Sequence, residues 1–494
     1  MNKIGFDNDK YLSLQSEQIK KRIDFFGGKL YLEFGGKLFD DYHASRVLPG
    51  FMPDSKMKML LQLKDQAEIV IVINSNDIEK NKIRGDLGIN YALDTIRLVN
   101  VFKSKGLFVG CVVLTHFSNQ PSAINFEERL KGLGIKTYRH YPIDGYPSNT
   151  EHIVSEDGFG KNDYIETSHS LVVVTASGPG SGKMATCLSQ LYHENKRGIK
   201  AGYAKFETFP IWNLPLNHPV NIAYEAATAD LNDVNMIDPW HLQAYNKTAV
   251  NYNRDVEIFP VLEAMFCKIY SSSPYKSPTD MGVNMAGNCI MDDEAVQYAA
   301  KQEIIRRYYA TVCNKINGSS SSSEVYKLDL LLNKVGCTLA DRPPVKPALE
   351  TAKISGQPAC AMELTDGRIV TGKTSNLLGS CSAMLLNALK VIAGLDDDIL
   401  LISPQVIEPV QKLKTEHLGN KNPRLHTDEV LVALSISAVS DENAKKALDC
   451  IKYLKGCEMH STVILSETDE KVMRNLGVNL TCEPVYQSKT SCSN

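Results

Sequence analysis

The chain has 494 residues, which is too long for one compact core and predicts two or three domains. Its 43% hydrophobic and 22% charged residues are typical of a soluble globular protein, and no apolar run is long enough to span a bilayer. The net charge of -3, without a basic stripe, argues against a nucleic-acid partner. The cysteines include no Cys-x-x-Cys pair and favour reduced thiols over disulfides or a zinc ribbon. We therefore expect a cytoplasmic protein without a membrane or nucleic-acid partner.

Helices and strands alternate through the first part of the chain. Apolar residues at helical spacing predict helices over residues 12–26, 54–65, 94–105 and 125–133. Runs of β-branched and aromatic residues predict strands over residues 29–34, 68–73, 108–114, 136–141 and 171–174. Strands separated by helices are typical of an α/β fold, with a Rossmann-like, mostly parallel sheet between helical layers. Ligands bind such sheets beyond the carboxyl ends of the strands.

Polar residues follow several of these predicted strands, at the edge of the sheet where a ligand is expected. The candidates for substrate binding there are Gly35, Gly36, Asn76, Asp77, Thr115 and His116. Any one of them alone is explained as well by a turn or a helix cap. Their convergence on one edge of the sheet favours a binding site.

The most specific motif lies at residues 171–183, with the sequence LVVVTASGPGSGK. It predicts a buried strand, a glycine-rich loop and a helix, which is a P-loop-like arrangement. Backbone N–H groups of such a loop surround a phosphate, while the helix start and a lysine add positive charge. The residues predicted to hold the phosphates are Ser177, Gly178, Gly180, Ser181, Gly182, Lys183 and Thr186.

This loop departs from the Walker A pattern at two positions. Ser177 stands where the first glycine belongs, and Met184 stands where a hydroxyl would bind magnesium. Thr186 does not replace that hydroxyl, since two residues along a helix correspond to a rotation of roughly 200°. The motif predicts phosphate binding but leaves open whether the ligand is ATP or a phosphorylated metabolite, and whether magnesium binds. A glycine-rich turn that binds nothing is the alternative.

The next predicted strand, over residues 199–205, places Lys205 and Glu207 near its carboxyl end. The segment that follows, residues 206–260, is rich in carboxylates and amides, among them Asp230. Some of these carboxylates are explained by helix starts, where they interact favourably with the helix dipole. The functional interpretation is a substrate-binding region with a carboxylate that supports a metal or acts as a general base.

A second polar loop and a proline-rich stretch complete the organisation. The loop adds the substrate-binding candidates Lys276, Thr279 and Asp280. Prolines at residues 341–347 predict a stiff linker. The predicted domains are a Rossmann-like one (1–165), a phosphate-binding and substrate one (166–340) and a smaller C-terminal α/β one (341–494). In the last, strands are expected over residues 360–364, 368–371 and 398–402, and helices over residues 380–395, 408–418 and 441–454.

Several long phrases identify a family. They include GYAKFETFPIWNLPL, HPVNIAYEAATADLNDVN, YKSPTDMGVN, KQEIIRRYY and NKIRGDLGI. Over nearly its whole length the chain resembles uncharacterised protein family 0371, whose members are mostly bacterial and usually read TAPGPGSGK at the loop. Some relatives carry the label ATP-dependent peptidase, but this chain has neither a Gly-x-Ser-x-Gly elbow nor a His-Glu-x-x-His motif. The resemblance therefore implies little chemistry.

The C-terminal part is weakly similar to a cytidine-deaminase-like domain. The similarity lies in CAMELTDGRIVTGKTSN and in GSCSAMLLNALKVIAG. Deaminase chemistry needs a zinc ion held by one His or Cys and two further Cys, with a Glu that moves protons. Cys381 matches the first ligand, but Ala383 stands in place of the Glu and residues 404–408 lack both cysteines. The resemblance implies a domain that binds or assembles without a catalytic zinc.

The leading hypothesis is an ATP-dependent enzyme of the ligase or phosphotransferase type, acting on a small polar metabolite. In this hypothesis Lys183 and Lys205 stabilise charge on the transferred group, and Glu207 or Asp230 supports a metal or acts as a base. One alternative is a non-catalytic sensor of a nucleotide or phosphometabolite, which Met184 favours. Another is an enzyme that binds a phosphorylated substrate without ATP. We also expect a homo-oligomer, from the chain length and the non-catalytic character of the C-terminal part.

Overall fold

The computed structural model of the protein describes residues 3–35, 38–39, 41–84 and 88–487. The chain divides into two compact units. The first, here called the N-terminal unit, comprises Ile4–Tyr224 and Asp233–Val296. The second, here called the C-terminal unit, comprises Lys3, Glu225–Asn232 and residues 297–487. None of the helices in the described part of the chain combines the length and the apolar character that a membrane crossing requires.

The helices and strands follow one another along the chain in an alternating order. The α-helices are α1 (Asn8–Phe25), α2 (Tyr42–Val47), α3 (Ser55–Gln62), α4 (Ser75–Glu79), α5 (Tyr91–Ser104), α6 (Pro121–Gly132), α7 (Thr150–Ile153), α8 (Lys183–Lys196), α9 (Pro219–Ala227), α10 (Pro239–Tyr245), α11 (Asn253–Tyr270), α12 (Pro278–Met281), α13 (Asp293–Ile316), α14 (Ser322–Lys334), α15 (Val345–Ser355), α16 (Ser380–Ala393), α17 (Pro404–Lys412), α18 (Thr427–Ser437), α19 (Glu442–Asp449) and α20 (Glu467–Asn475). The strands are β1 (Leu30–Phe34), β2 (Ala67–Asn74), β3 (Ile83–Arg84), β4 (Ile89–Asn90), β5 (Phe108–Thr115), β6 (Thr137–Arg139), β7 (Leu171–Ala176), β8 (Gly202–Phe206), β9 (Asn235–Ile237), β10 (Val250–Tyr252), β11 (Gly282–Val283), β12 (Ala359–Glu363), β13 (Ile369–Lys373), β14 (Glu458–Ser461) and β15 (Asn479–Cys482).

A seven-stranded parallel sheet forms the centre of the N-terminal unit. Its strand order is β11-β8-β1-β7-β2-β5-β6, and its strand pairs are parallel. The strands that the sequence predicts up to residue 205 all lie in this sheet, which confirms the α/β class. Because β1 pairs with both β7 and β8, the carboxyl ends of these three strands lie side by side.

Helices α8 and α11 cover one face of this sheet. Tyr31, Val174 and Tyr203, from three adjacent strands, are buried there with side chains of the two helices. The helix residues in this cluster include Cys187, Leu188, Leu191, Phe259, Leu262 and Phe266. Burial of each large apolar side chain is worth about 1.5–3 kcal/mol before the entropy cost is counted. This packing fixes α8, and with it the loop that precedes it, on the sheet.

The C-terminal unit is built on a smaller sheet with the strand order β13-β12-β14-β15. Strands β12 and β13 form a hairpin, and Gly367 in its turn has a φ of 87° that favours glycine. Strand β12 is antiparallel to β14, and β14 is parallel to β15. Buried side chains of α16 pack on this sheet, among them Met384, Leu385 and Leu389. A separate, smaller α/β unit is therefore present, as the sequence predicts.

Three features differ from the expectations: a domain boundary, a linker and a strand. The expected division at residue 165 falls inside one sheet, because β7 and β8 pair with β1. Residues 341–347, expected as a linker, contain the start of α15 at Val345. Proline is tolerated in the first turn of a helix, where its missing N–H would have no acceptor, so Pro347 fits within α15. Residues 398–402, expected as a strand, connect α16 to α17 without regular structure.

Candidate functional site

The glycine-rich loop connects the end of β7 to the start of α8. Strand β7 ends at Ala176, and α8 begins at Lys183. Gly180 and Gly182 have φ angles of 68° and 88°, in the left-handed region where glycine is favoured. Gly182 is also the N-cap residue of α8. The loop therefore leads the chain directly into the positive end of a 14-residue helix.

Side chains from β2 and β5 hold the carbonyl groups of this loop. Thr115, at the end of β5, donates its hydroxyl hydrogen to the carbonyl oxygen of Ser181 at 2.6 Å. Asn74, at the end of β2, donates its side-chain N–H to the carbonyl oxygen of Gly180 at 3.3 Å. In the described part of the chain, no acceptor takes the peptide N–H groups of residues 180–182. The anchored carbonyls therefore leave these N–H groups available to an anion.

Ser177 anchors the beginning of the loop. Its buried hydroxyl lies 3.1 Å from the Thr95 Oγ1 atom and 3.4 Å from the carbonyl oxygen of Tyr91. Both of these residues belong to the first turns of α5. The side chain of Ser177 is thus used by the fold, and any contact that Ser177 makes with a phosphate is through its backbone.

The first turn of α8 combines positive charge with unsatisfied polar groups. Lys183 is half-buried and forms no ion pair with any residue that the structure describes. The hydroxyls of Ser181 and Thr186 are buried and have no hydrogen-bond partner among the described residues. A buried polar group without a partner costs about 1–3 kcal/mol, so such groups are rare in native proteins. The two hydroxyl donors and the lysine charge, which have no partner among the described residues, are suited to a phosphate group.

The magnesium part of a Walker site is not reproduced by these residues. Met184 presents a thioether, whereas magnesium prefers oxygen ligands. Across residues 3–35, 38–39, 41–84 and 88–487, no group of three or more His, Cys, Asp or Glu side chains is arranged to hold a metal ion. We assign no residues to a metal.

A buried group of charged side chains lies near the ends of β1 and β8. The Lys205 Nζ atom is 2.5 Å from Asp255 Oδ2 and 2.8 Å from Glu207 Oε1. Glu33 is the register partner of Lys205 on β1 and accepts a hydrogen bond from the Tyr203 hydroxyl at 2.6 Å. The Lys205, Glu207 and Asp255 side chains are only 19%, 12% and 16% exposed. Their mutual interactions are therefore weakly screened by water.

This environment raises the pKa of Glu207 to about 7. Burial is the largest cause, the Asp255 and Glu33 carboxylates add to it, and the Lys205 ammonium opposes it. Burial also disfavours the charged form of Lys205, but Asp255, Glu207 and Glu33 together hold its pKa well above the ordinary value. Lys205 therefore stays protonated, while Glu207 exchanges a proton near neutral pH.

Helix α8 connects the charged group to the glycine-rich loop. Cys187, one turn after Lys183, is fully buried, and burial raises the pKa of its thiol. The Glu33 carboxylate raises this pKa further, whereas the Lys183 ammonium lowers it. Glu33 lies on the same face of β1 as Tyr31, and Lys205 lies on the same face of β8 as Tyr203. Both tyrosines are buried with side chains of α8, so Lys183, Lys205 and Glu207, three of the candidates predicted as catalytic, lie on the same side of the sheet.

The remaining candidates near β1, β2 and β5 occupy the expected edge but mostly serve local structure. Asn76 is exposed and accepts a hydrogen bond from Gln120 at 2.9 Å. Asp77 pairs with Lys82 at 3.4 Å. His116 is exposed, with a φ of 50°. Gly35 directly follows β1, and Gly36 lies outside the described residues.

The loop before β11 is held by its own hydrogen bonds. Thr279 donates its hydroxyl hydrogen to the buried Asp238 carboxylate at 2.6 Å. Asp280 accepts hydrogen bonds from the Lys276 backbone N–H and the Tyr245 hydroxyl, both at 2.9 Å. These contacts fix the loop and give no sign of a ligand.

Asp230 is exposed and lies in a short 3-10 helix that groups with the C-terminal unit. The structure therefore does not bring it into the buried charged group.

Sequence reasoning missed two members of the buried group. Glu33 is the charged residue of the otherwise apolar strand β1 and lies on the same face of the strand as Tyr31. A charged residue within such a strand is a signal that can be seen in the sequence. Asp255 lies in the first turn of α11, where a carboxylate is also explained by the helix dipole. Only the tertiary structure distinguishes Asp255 from the many other carboxylates of residues 206–260.

Comparison with known proteins gives matches over nearly the whole chain. The model described as "Domain of unknown function DUF1846, N-terminal" matches residues 4–336, and the corresponding C-terminal model matches residues 340–491. A UPF0371 protein of Corynebacterium urealyticum is 59% identical over 487 residues, covering 98% of each chain. A UPF0371 protein of Streptococcus pyogenes serotype M5 is 56% identical over 487 residues, covering 99% of each chain. These matches confirm the resemblance read from the sequence.

One solved structure, "Structure of the Aeropyrum Pernix ORC2 protein (ADP form)", is weakly similar. It is 11% identical with a TM-score of 0.17, over 87% of this chain and 85% of that chain. A likeness of this size supports no argument about function.

Proposed function

We propose that this chain, which belongs to the UPF0371 family and matches both DUF1846 domains, is an ATP-dependent enzyme of the ligase or phosphotransferase type. Its substrate is a small polar metabolite, and residues 178–183 hold the phosphates. One observation carries the proposal: a helix start, whose lysine forms no ion pair with the described residues, lies on the same sheet face as a carboxylate whose pKa is raised to about 7. A simple binding protein has no need of the second feature.

The loop would bind the phosphates through three kinds of group. The N–H groups of residues 180–182 and the dipole of α8 would surround the phosphoryl oxygens. The Lys183 ammonium would neutralise part of their charge. ATP would supply the transferable phosphoryl group in this arrangement. Because Thr115 and Asn74 hold the loop carbonyls, these donors need little rearrangement when the ligand binds.

The buried charged group would act on the metabolite. Glu207, half protonated near pH 7, would accept a proton from the attacking group of the substrate at its Oε2 atom. The Lys205 ammonium, fixed between Asp255 and Glu207, would stabilise negative charge that develops on the transferred group. Glu33 would be a positioning residue, since it sets the electrostatic environment of both.

A second candidate function is an enzyme that holds a phosphorylated substrate without ATP. Met184 favours it, because a nucleotide site of the Walker type normally places a magnesium-binding hydroxyl at this position. The same donors of the loop would then hold a phosphate monoester, and the same Glu207 carboxylate would act as the base.

Thermal denaturation with ATP, ADP and a panel of phosphorylated metabolites, each with and without magnesium, tests the proposal. At a ligand concentration about 100 times Kd, we expect ATP to raise Tm by about 5 °C. Lys183→Ala should abolish this shift, whereas Lys196→Ala, at the other end of α8, should retain it.

The outcomes of this experiment separate the candidate functions. Stabilisation by sugar or acid phosphates alone would reject ATP and favour the second candidate. No stabilisation by any phosphate compound would reject both. ATP turnover that disappears in Lys183→Ala would exclude a sensor without turnover.

A further inference from the structure

Tyr91, the first residue of α5, lies directly against the glycine-rich loop. A Cβ atom added to Gly178 would be 2.5 Å from the Tyr91 hydroxyl oxygen and 2.6 Å from its Cζ atom. The phenol and the loop backbone are therefore in contact, and only glycine fits at this position of the loop. Tyr91 is 9% exposed, so its side chain is nine-tenths buried.

The backbone of Tyr91 is fixed on both sides. Its N–H donates to the carbonyl oxygen of Lys82 at 3.0 Å, and its carbonyl oxygen accepts from the Thr95 hydroxyl at 2.9 Å. Asn90 caps α5 by accepting from the N–H of Leu93 at 2.8 Å. The backbone at the start of α5 is therefore fixed, and this limits where the ring of Tyr91 can lie relative to the loop.

The hydroxyl of Tyr91, in contrast, has no hydrogen-bond partner among the residues that the structure describes. This hydroxyl lies beside the loop, whose N–H groups at residues 180–182 are also without acceptors in the described part of the chain. Hydrogen-bond donors without acceptors thus lie next to one another at the loop.

We propose that the Tyr91 hydroxyl donates a hydrogen bond to an oxygen of the phosphoryl group that the loop binds. The inference rests on the proposed function, since it assumes that residues 178–183 hold a phosphate. It adds to the site a donor from outside the loop motif. The ligand class is a phosphate ester or anhydride, because the loop N–H groups only donate, the phenol can donate beside them, and phosphoryl oxygens are strong acceptors.

The test compares the affinity of the full-length protein for inorganic phosphate and for ADP in wild type, Tyr91→Phe and Tyr192→Phe, by titration calorimetry. Tyr192 is a matched control: it is 7% exposed and has a lysine over its ring, Lys196, at 5.1 Å. We expect Tyr91→Phe to weaken binding about tenfold, as the loss of a hydrogen bond to a charged group does, and Tyr192→Phe to leave it unchanged.

Thermal denaturation without ligand, together with Lys183→Ala, makes the outcomes decisive. An unchanged Tm of ligand-free Tyr91→Phe with weaker phosphate binding supports the inference. Wild-type affinity in Tyr91→Phe, while Lys183→Ala loses binding, overturns the inference and leaves the proposed function intact. If the Tm of ligand-free Tyr91→Phe falls enough to account for the weaker binding, the inference is also overturned, because Tyr91 then serves only in packing. No binding of either probe to wild type rejects both proposals.

Discussion

The residues of the site differ in how well the sequence predicts that they belong to it. The residues of the glycine-rich loop follow one another in the chain, so a motif predicts their common position. Glu33, Asp255 and Tyr91 are far apart in the sequence and meet the site only through sheet register and helix packing. No local pattern encodes these contacts, and this is why the loop was predictable and most of its surroundings were not.

The raised pKa of Glu207 predicts a pH-dependent stability. A carboxyl whose folded pKa is raised contributes stability that is full below its unfolded pKa and is lost as the pH rises through the folded pKa of about 7. Glu207→Gln cannot ionise. We therefore expect the unfolding free energy of Glu207→Gln, relative to wild type, to increase by roughly 3 kcal/mol between pH 4 and pH 8. Urea denaturation at both values measures it.

Glu166→Gln is the control for this prediction, because the Glu166 side chain is 74% exposed. Its stability relative to wild type should not depend on pH over this range. A second variant, Asp255→Asn, removes a carboxylate that raises the pKa of Glu207. In the Asp255→Asn background the pH-dependent effect of Glu207→Gln should be smaller and should level off at a lower pH, because the folded pKa of Glu207 is lower. A pH-independent difference for Glu207→Gln would contradict the assignment of a raised pKa.

Secondary-structure elements were more predictable in the N-terminal unit than in the C-terminal unit. Parallel strands buried on both faces read as continuous apolar runs, and β2, β5 and β7 have this character. Strand β14, in contrast, is only Glu458–Ser461 and carries two polar ends and a buried histidine, so no apolar run marks it. Its place is determined by pairing with β12 and β15.

The start of α8 predicts a cost for substituting Gly182. Its φ of 88° disfavours any residue with a Cβ, and an added Cβ would be 3.1 Å from the Thr115 side chain. We expect Gly182→Ala to lower the unfolding free energy by about 1–2 kcal/mol. It should also weaken phosphate binding, since Thr115 holds the Ser181 carbonyl.

Gly132→Ala provides the comparison in urea denaturation. Gly132 lies at the end of α6 with no heavy atom within 4 Å of an added Cβ, and its φ is not positive. This substitution should be neutral or stabilise by up to about 1 kcal/mol. Equal effects of the two substitutions would show that the loop does not require a left-handed residue at Gly182.

At the scale of the whole molecule, two units each have their own sheet and their own buried core. In the C-terminal unit, Arg342 is fully buried, and its guanidinium group contacts residues of two strands, β14 and β15. It lies 2.6 Å from Glu458 and donates to the Thr481 hydroxyl at 2.8 Å and to the Asn479 carbonyl oxygen at 2.7 Å. This contact fixes the segment before α15 on β14 and β15.

We expect Arg342→Met to destabilise the C-terminal unit by about 3–5 kcal/mol, because it leaves buried acceptors without their donor. Hydrogen exchange should show lost protection at the amides of β14 and β15 and retained protection at β1 and β7. Arg474→Met, which removes an exposed arginine of the same unit, should change neither. Equal loss of protection in both sheets would contradict the description of two separately stabilised units.

The pairing of β1 has a consequence for how the chain is made. During synthesis this strand leaves the ribosome early, yet its two neighbours begin only at Leu171 and Gly202. Until then its backbone N–H and C=O groups have no native strand partner, although β2 and β5 can already pair. A nascent chain halted before Leu171 would therefore expose β1 as an unpaired apolar strand. Exposed apolar segments of this kind are prone to aggregation and are bound by chaperones. The glycine-rich loop after β7 and the burial of β1 therefore depend on the same strand pairing, which is complete only when β8 has been synthesised.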